Sequence, residues 1–578
     1  MVAPVIEGLQ MCDEAERDKR ITNANEAESR CRQLKAPGSA ALNRVLDTLE
    51  PGGPKGQVQV GFTATLQLLG VYHRTAKGWE IDETQVDDFL RLVTQVRRPV
   101  VIYLAADHFD SFGPLTRELQ KDPQNLMQLR DGKPLDLNYF GYPVIPYTLQ
   151  TDASIPVNRY RYRALQYVAK KILALPREVQ ERIIAINLMG ELHHMFPDFS
   201  NGMGAYKDIQ VTDYNPASVA GFRAWLEKRH TSIVRFNALT GMAFTSFKEV
   251  PAPARNIRKE KLSNFGEHYD AFADGTLALS GWLWDPQQKI QQLDLYVDGR
   301  HIGPVPQGFN RLDVYRAVES ITSPSVGFRY DFDYTALAPG WHYAQIVAKS
   351  AGMRYKLASV EFAVIARDQS KTSDSRAPTL ASLPDVQKLT GVRAWLDLPQ
   401  AKQDVYFNPV AREWNLYRQW QVQSLLTQFH NLALRAGLPA DKLYSHQIMP
   451  RVNSSWNPQL FAADETLLGT MPWKQGINMY GGATNGPWMR DYLKQQQITD
   501  YGVPEFNPQQ WKSKGVHLTA MQAQYEQGAR FISPYYISLI PDRFRGREFA
   551  INRMELRPEN KQDGADQFYR AIIEFAKR

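Results

Sequence analysis

Apolar and polar positions alternate along this chain with several different periods, and each change of period marks an element. Residues 183–189 run Ile-Ile-Ala-Ile-Asn-Leu-Met, a nearly unbroken apolar stretch that suits a strand covered on both faces, as in parallel sheets. Comparable short runs occur at 57–63, 99–105, 442–449, 476–480, 499–504 and 528–535, with a weaker candidate at 142–147. Between many of them the spacing is helical. Val86, Phe89, Leu90, Leu92 and Val93 share one face of a predicted helix over 82–96. Residues 159–174, 219–230, 414–435 and 566–576 carry similar patterns, the second of them behind a capped start at Asp213–Ser218. Eight strands counted from residue 57, most of them separated by helical material, predict an α/β chain built as a (β/α)8 barrel.

Between about 265 and 366 the texture changes. Strand-like segments at 277–284, 293–297, 327–333, 341–349 and 358–364 alternate with Gly, Pro and Asp turns, and Asp298-Gly299 is a hairpin signal. This predicts an all-β sandwich inserted between the fourth and fifth strands. The chain then divides into an N-terminal helical segment at 1–54, ended by Pro51-Gly52-Gly53-Pro54, a barrel at 55–262 and 386–578, the sandwich at 263–367, and a polar linker at 368–385.

Composition narrows the classes. The 578 residues are 43% hydrophobic, ample for a large core, and the net charge of +7 is spread out. No Lys/Arg block is long enough for a nucleic-acid arm, so no nucleic-acid partner is expected. No run of 18 apolar residues exists, so no membrane span is expected either. Met1-Val2-Ala3-Pro4 lacks a basic region followed by an apolar core, and no signal peptide is read there. The two cysteines, Cys12 and Cys31, fit one disulfide in an oxidising compartment, with two unpaired thiols as the alternative. No Cys/His cluster has zinc spacing, so no metal and no cofactor are expected. The 12 Trp and 27 Tyr suit stacking on sugar rings, but they suit cores equally well.

The strand count matters because it places chemistry. In a barrel of parallel strands the reactive groups gather at the strands' C-terminal ends. Glu191 follows the fourth strand, in Gly190-Glu191-Leu192-His193-His194, and Glu505 follows the seventh. Both then project into one mouth from opposite sides. Hydrolysis of a glycosidic bond requires two such carboxyls, one protonated for the leaving oxygen and one ionised as nucleophile or as base for water. Asp107 and His108 at the second strand end, Asn187, His193 and His194 around the fourth, and His446 and Arg451 around the fifth are candidate substrate-binding groups, as are Tyr480, Trp488 and Tyr535. Gly481-Gly482 is no phosphate loop, because no Gly-Lys-Ser/Thr follows it.

With these residues placed, the chain resembles the retaining glycoside hydrolases of the large TIM-barrel clan, and most closely their β-galactosidase-like branch. The similarity lies in Asp213-Tyr214-Asn215-Pro216, Phe222–Glu227, Phe236–Gly241 and Phe244–Phe247. It covers roughly 57–260 and 390–578. It implies Glu191 as acid/base and Glu505 as nucleophile. The clan's usual Asn-Glu pair is here Gly190-Glu191, and Gly-Glu-Leu is also similar to the strand-four acid of the inverting β-amylases, so both stereochemical outcomes stand. Gly281-Trp282, Asp298-Gly299, Arg311, Asp313-Val314 and Val326–Phe328 resemble Ig-like domains attached to bacterial envelope-polysaccharide enzymes. The expectation is a periplasmic or secreted glycosidase acting on a polysaccharide, with endo action favoured. An exo-acting enzyme and a non-catalytic polysaccharide-binding scaffold are the alternatives.

Overall fold

In the computed structural model the first strand lies where the sequence predicts helix. The structure describes residues 1–578 except 55, 138, 140–143, 368, 370–381, 398–402 and 547–551. Residues 2–7 run extended and end in β1 (Ile6–Glu7); Val2 bridges both Val60 and Ile532, and Val5 bridges Thr63, all in parallel. The segment is too short, and too interrupted by Pro4, to show a period. Burial of Val2, Ala3 and Ile6 holds it in place. Pro4 has no N–H to leave unpaired, and its carbonyl accepts from Thr63 N–H at 2.8 Å. The helices of the N-terminal segment follow at Asp13–Arg17, Ala24–Gln33 and Ser39–Leu49. A Cys12–Cys31 disulfide ties the first two together.

β2 (Phe62–Gln67) pairs with β3 (Val100–Ala105), and β3 with β4 (Ile183–Met189), all in parallel. The predicted strand at 142–147 therefore has no gap to fill. Its residues 142 and 143 lie outside the described residues, and at 144–147 the chain makes one antiparallel bridge, Tyr147 to Leu126. β4 pairs with β5 (Leu443–Tyr444), bridges Tyr444–Lys474 and Gln447–Ile477 lead to β6 (Met479–Tyr480), and β6 pairs with β7 (Tyr501–Asn507). β7 pairs with β8 (Ala529–Pro534), and Ile532 returns the pairing to Val2. Eight parallel segments thus pair in a ring. Strand β1 enters the count and the 142–147 strand leaves it, so Ile183–Met189 keeps fourth place and Tyr501–Asn507 seventh.

Ala3, Val101, Ala185, Tyr444 and Phe531 come from five different segments of the ring and form one small apolar cluster. They fill the ring's interior near the strands' N-terminal ends. Outside the ring, helices Glu83–Gln95, Pro156–Leu173, Pro216–His230, Pro409–Arg435 and Ala565–Phe575 pack into the main core. The start signals are local: Asp82, Asn215 and Asn408 each cap a first-turn N–H, and the last two precede a Pro at the first helical position.

The inserted region is a second core of two packed sheets. It extends further along the chain than 263–367. Arg393–Leu396 pairs with Trp284–Gly281, and Gln403–Val405 pairs with Phe362–Val364, because these two short strands complete the sheet edges on the way back to the ring. The Asp298-Gly299 hairpin is present: both residues have positive φ, and Val297 pairs with Arg300. The sandwich rests on the loops that follow β5, β6 and β7. Arg329 donates to the carbonyls of Ser454 (3.2 Å) and Trp456 (2.6 Å), and Lys512 donates to those of Val318 (2.8 Å) and Ile321 (3.1 Å). Gly482 N–H donates to Asn310 Oδ1 at 2.7 Å, and a Cβ on either Gly481 or Gly482 would crowd Asn310. That close approach accounts for the glycine pair.

Candidate active site

β4 ends in two residues with left-handed backbone, Met189 (φ +70°) and Gly190 (φ +110°). Glycine is required at 190 twice over. Its φ disfavours any side chain, and a Cβ would strike the Tyr103 hydroxyl and the Asp107 carboxylate. The turn delivers Glu191, only 8% exposed. Its N–H donates to Asp107 Oδ2 at 3.0 Å, and its Oε1 accepts from Asn478 Nδ2 at 2.7 Å. Asp107 also accepts from Phe109 N–H (2.9 Å) and the Tyr103 hydroxyl (3.3 Å).

Glu505 lies within β7. The register against β8 slips between Val503 and Phe506. Pro504 has no N–H for the ladder there, and the resulting bulge re-aims the side chain that follows. The Tyr480 hydroxyl donates to Glu505 Oε2, and His446 Nε2 lies 3.4 Å from Oε1. The His446 ring meets the Tyr103 ring at 4.4 Å between centroids. Since Met479 pairs with Phe506, Asn478 stands beside Glu505 on the next strand while its amide reaches Glu191.

Burial dominates the electrostatics. It pushes Glu191 up to about 8, with the Glu505 charge adding and the Asn478 hydrogen bond pulling back. Burial likewise pushes Glu505 up to about 8, helped by Asp107. Asp107 is raised by burial against the pull of His446 and its hydrogen bonds. The imidazoles move the other way. His193 and His446 fall to about 4, and His108 and His194 fall well below the ordinary value, burial first in each case. The site at neutral pH is therefore a set of neutral imidazoles around three carboxyls that cannot all ionise together.

The remaining predicted residues divide into two groups. Asn187 lies inside the ring, buried, and neither amide atom has a partner among the described residues. His108 and His193 meet Glu191, with one potential ligand atom from each of the three within 4.8 Å of the others. Tyr535 follows β8; its N–H donates to Phe506 O (3.2 Å), and its ring packs on Tyr536. The others are engaged elsewhere. The His194 ring bonds the Arg418 carbonyl (3.2 Å) on helix Pro409–Arg435. Arg451 is held by Asp464 (2.6 Å) and by Asp331 of the sandwich (3.0 Å). Trp488 packs between Phe309 of the sandwich (5.0 Å) and Tyr492 (5.5 Å), so it seals an interface. Two further loop tryptophans are also structural: Trp456 stacks on Phe461, and Trp473 is 4% exposed in the core.

Two site residues escape the sequence reading: Tyr103 and Asn478. Each is a polar group inside an otherwise apolar stretch, Val-Val-Ile-Tyr-Leu-Ala and Gly-Ile-Asn-Met. That is the same signal that singles out Asn187, which pairs with Tyr103 across β3 and β4.

No family model matches the chain, and no curated protein matches it. Among solved structures, the catalytic domain of β-amylase from Paenibacillus polymyxa is similar at 10% identity and a TM-score of 0.44, over 93% of this chain and 95% of that one. A likeness of that size is too slight to assign a fold or an activity.

Proposed function

We propose that this chain is a glycoside hydrolase of the (β/α)8 TIM-barrel type, cleaving O-glycosidic bonds of a polysaccharide by a two-carboxylate mechanism. The observation that carries the reading is the pair of carboxyls at the C-terminal ends of β4 and β7, Glu191 buried and Glu505 partly exposed, with the Glu505 charge raising Glu191. Each carboxyl has one side-chain donor, the Tyr480 hydroxyl for Glu505 and the Asn478 amide for Glu191. Their exposure differs: Glu191 is 8% exposed and the Glu505 side chain 18%. Water favours the ionised form, so we assign the pair's negative charge to Glu505 and its proton to Glu191. Glu191 gives that proton to the leaving glycosidic oxygen while Glu505 attacks the anomeric carbon. Water, deprotonated by Glu191, then displaces Glu505 from the glycosyl ester. Asn187, Asp107 and Tyr480 are the side chains proposed to meet sugar hydroxyls. The Cys12–Cys31 disulfide supports a periplasmic or secreted setting, and the sandwich, of Ig-like type, braces the rim loops.

Glu191→Gln and Glu505→Gln, tested on a panel of bacterial and plant polysaccharides, each lose turnover by about a hundredfold or more. Wild-type turnover in both variants sinks the assignment. Binding of glycans without cleavage by the wild type favours the scaffold alternative. Product NMR reads the stereochemistry: a retained anomer fits Glu505 as nucleophile, and an inverted one makes it the base for water.

A further inference from the structure

The loops after β3 and β4 bring His108 to Glu191 and His193, a pair two residues apart that the chain sets more than 80 residues from it. His108, Glu191 and His193 each offer one ligand atom, and the three atoms lie within 4.8 Å of one another. All three residues are buried, with exposures of 6%, 8% and 1%. The orientation of His193 is fixed from behind. Its Nδ1 lies 2.7 Å from the carbonyl of His194, an arrangement that places the ring proton on Nδ1 and leaves the Nε2 lone pair free. A backbone carbonyl behind the second ring nitrogen is the usual support of a metal-ligating histidine. Phe199 stacks on the same ring, nearly parallel, at 5.3 Å. Neither His193 Nε2 nor His108 Nε2 has a hydrogen-bond partner among the described residues. Two buried imidazole nitrogens left bare are costly unless something occupies them. On Glu191 the Asn478 amide occupies Oε1, and the second oxygen remains for a ligand.

We propose that His108, His193 and Glu191 bind a divalent zinc ion. Two imidazoles and one carboxylate with a fourth position open form a common ligand set for zinc, and nitrogen donors select against calcium and magnesium. Binding rests on these three residues alone and not on the glycosidase reading. Only one consequence rests on that reading: a zinc ion on Glu191 takes the oxygen that carries the acid's proton, and so turns hydrolysis off.

Calorimetric titration of the full chain with zinc chloride at about pH 7.5 tests the site: the imidazoles are neutral there, and Glu191 releases its proton to the buffer as zinc binds. One ion per chain is expected. His108→Ala and His193→Ala each weaken binding by at least about tenfold, and thermal melts confirm that each variant is folded. Cobalt(II) added to the wild type needs no variant: it shows the intense visible absorption of a four- or five-coordinate site. No zinc uptake, an unchanged affinity in the double variant, or the weak octahedral cobalt spectrum overturns the proposal. If Glu191→Gln and Glu505→Gln retain full turnover while zinc binding follows the histidines, the hydrolase reading fails and the metal site stands.

Discussion

Asn478 shows how one hydrogen bond sets a proton at the residue scale. Its amide lowers an acid that burial and the Glu505 charge raise to about 8. A proton donor must hold its proton, so kcat/KM is expected to fall on the alkaline side as Glu191 ionises near that value. Asn478→Ala removes a bond that favours the anion, and the alkaline limb moves up by about half to one pH unit. A pH profile with the limb unmoved or lowered contradicts the assignment of Glu191 as the acid. Gly190 is the other residue-scale test. Gly190→Ala adds a methyl group against Tyr103 and Asp107 at a φ of +110°, and is expected to cost ~3 kcal/mol in urea unfolding and most of the turnover. A neutral outcome means that the tight turn after β4 is not what places Glu191.

Among the elements, β1 has the widest effect for its length. Val2 and Ile6 are buried, and the segment closes the gap between β2 and β8. Removing residues 1–7 loses ~2 kcal/mol for each of those side chains and bares two strand edges that invite aggregation. A drop of ~5 kcal/mol or more in urea unfolding is expected, with loss of soluble monomer on gel filtration. A truncated chain that melts like the full one makes the segment an appendage. This is also the element hardest to read in the sequence. The run at 183–189 declares itself because both faces of β4 are covered. Residues 2–7 are half as visible because Pro4 breaks a pattern of only six positions. The segment at 142–147 offered similar apolar material, but among its described residues the one bridge, Tyr147 to Leu126, lies outside the ring. The bulge at Pro504–Glu505 was equally hidden, because register slips are set by the neighbouring strand.

At the scale of the whole molecule, the sandwich is fastened to the loops that follow β5 to β7, next to the strand that carries Glu505. Arg329 is a buried tie: 6% exposed, it is shared between Asp331, Tyr206 and the carbonyls of Ser454 and Trp456. Arg329→Ala strands two carbonyls and leaves Asp331 to Arg451 alone, and is expected to cost ~3 kcal/mol. It is also expected to lower kcat more than it raises KM, since the loop it holds adjoins β5 and His446. Stability and rate both unchanged would make the insertion a passenger.

The sequence by itself determined where most strands of the two cores lie, that their order sets Glu191 and Glu505 at the fourth and seventh places, and that two cysteines stand close along the chain. Apolar runs, turn residues and spacing are local properties, and a local reading recovers them. Tertiary structure alone decided the rest. It chose which segment closes the ring, turned Arg451, His194 and Trp488 to structural contacts, and brought Tyr103 and Asn478 to the carboxyls. It also gathered His108, Glu191 and His193 around one point. Those outcomes depend on which side chains meet across strands distant in the chain, and on burial that moves a carboxyl up and an imidazole down. Neither is written in any single stretch of residues.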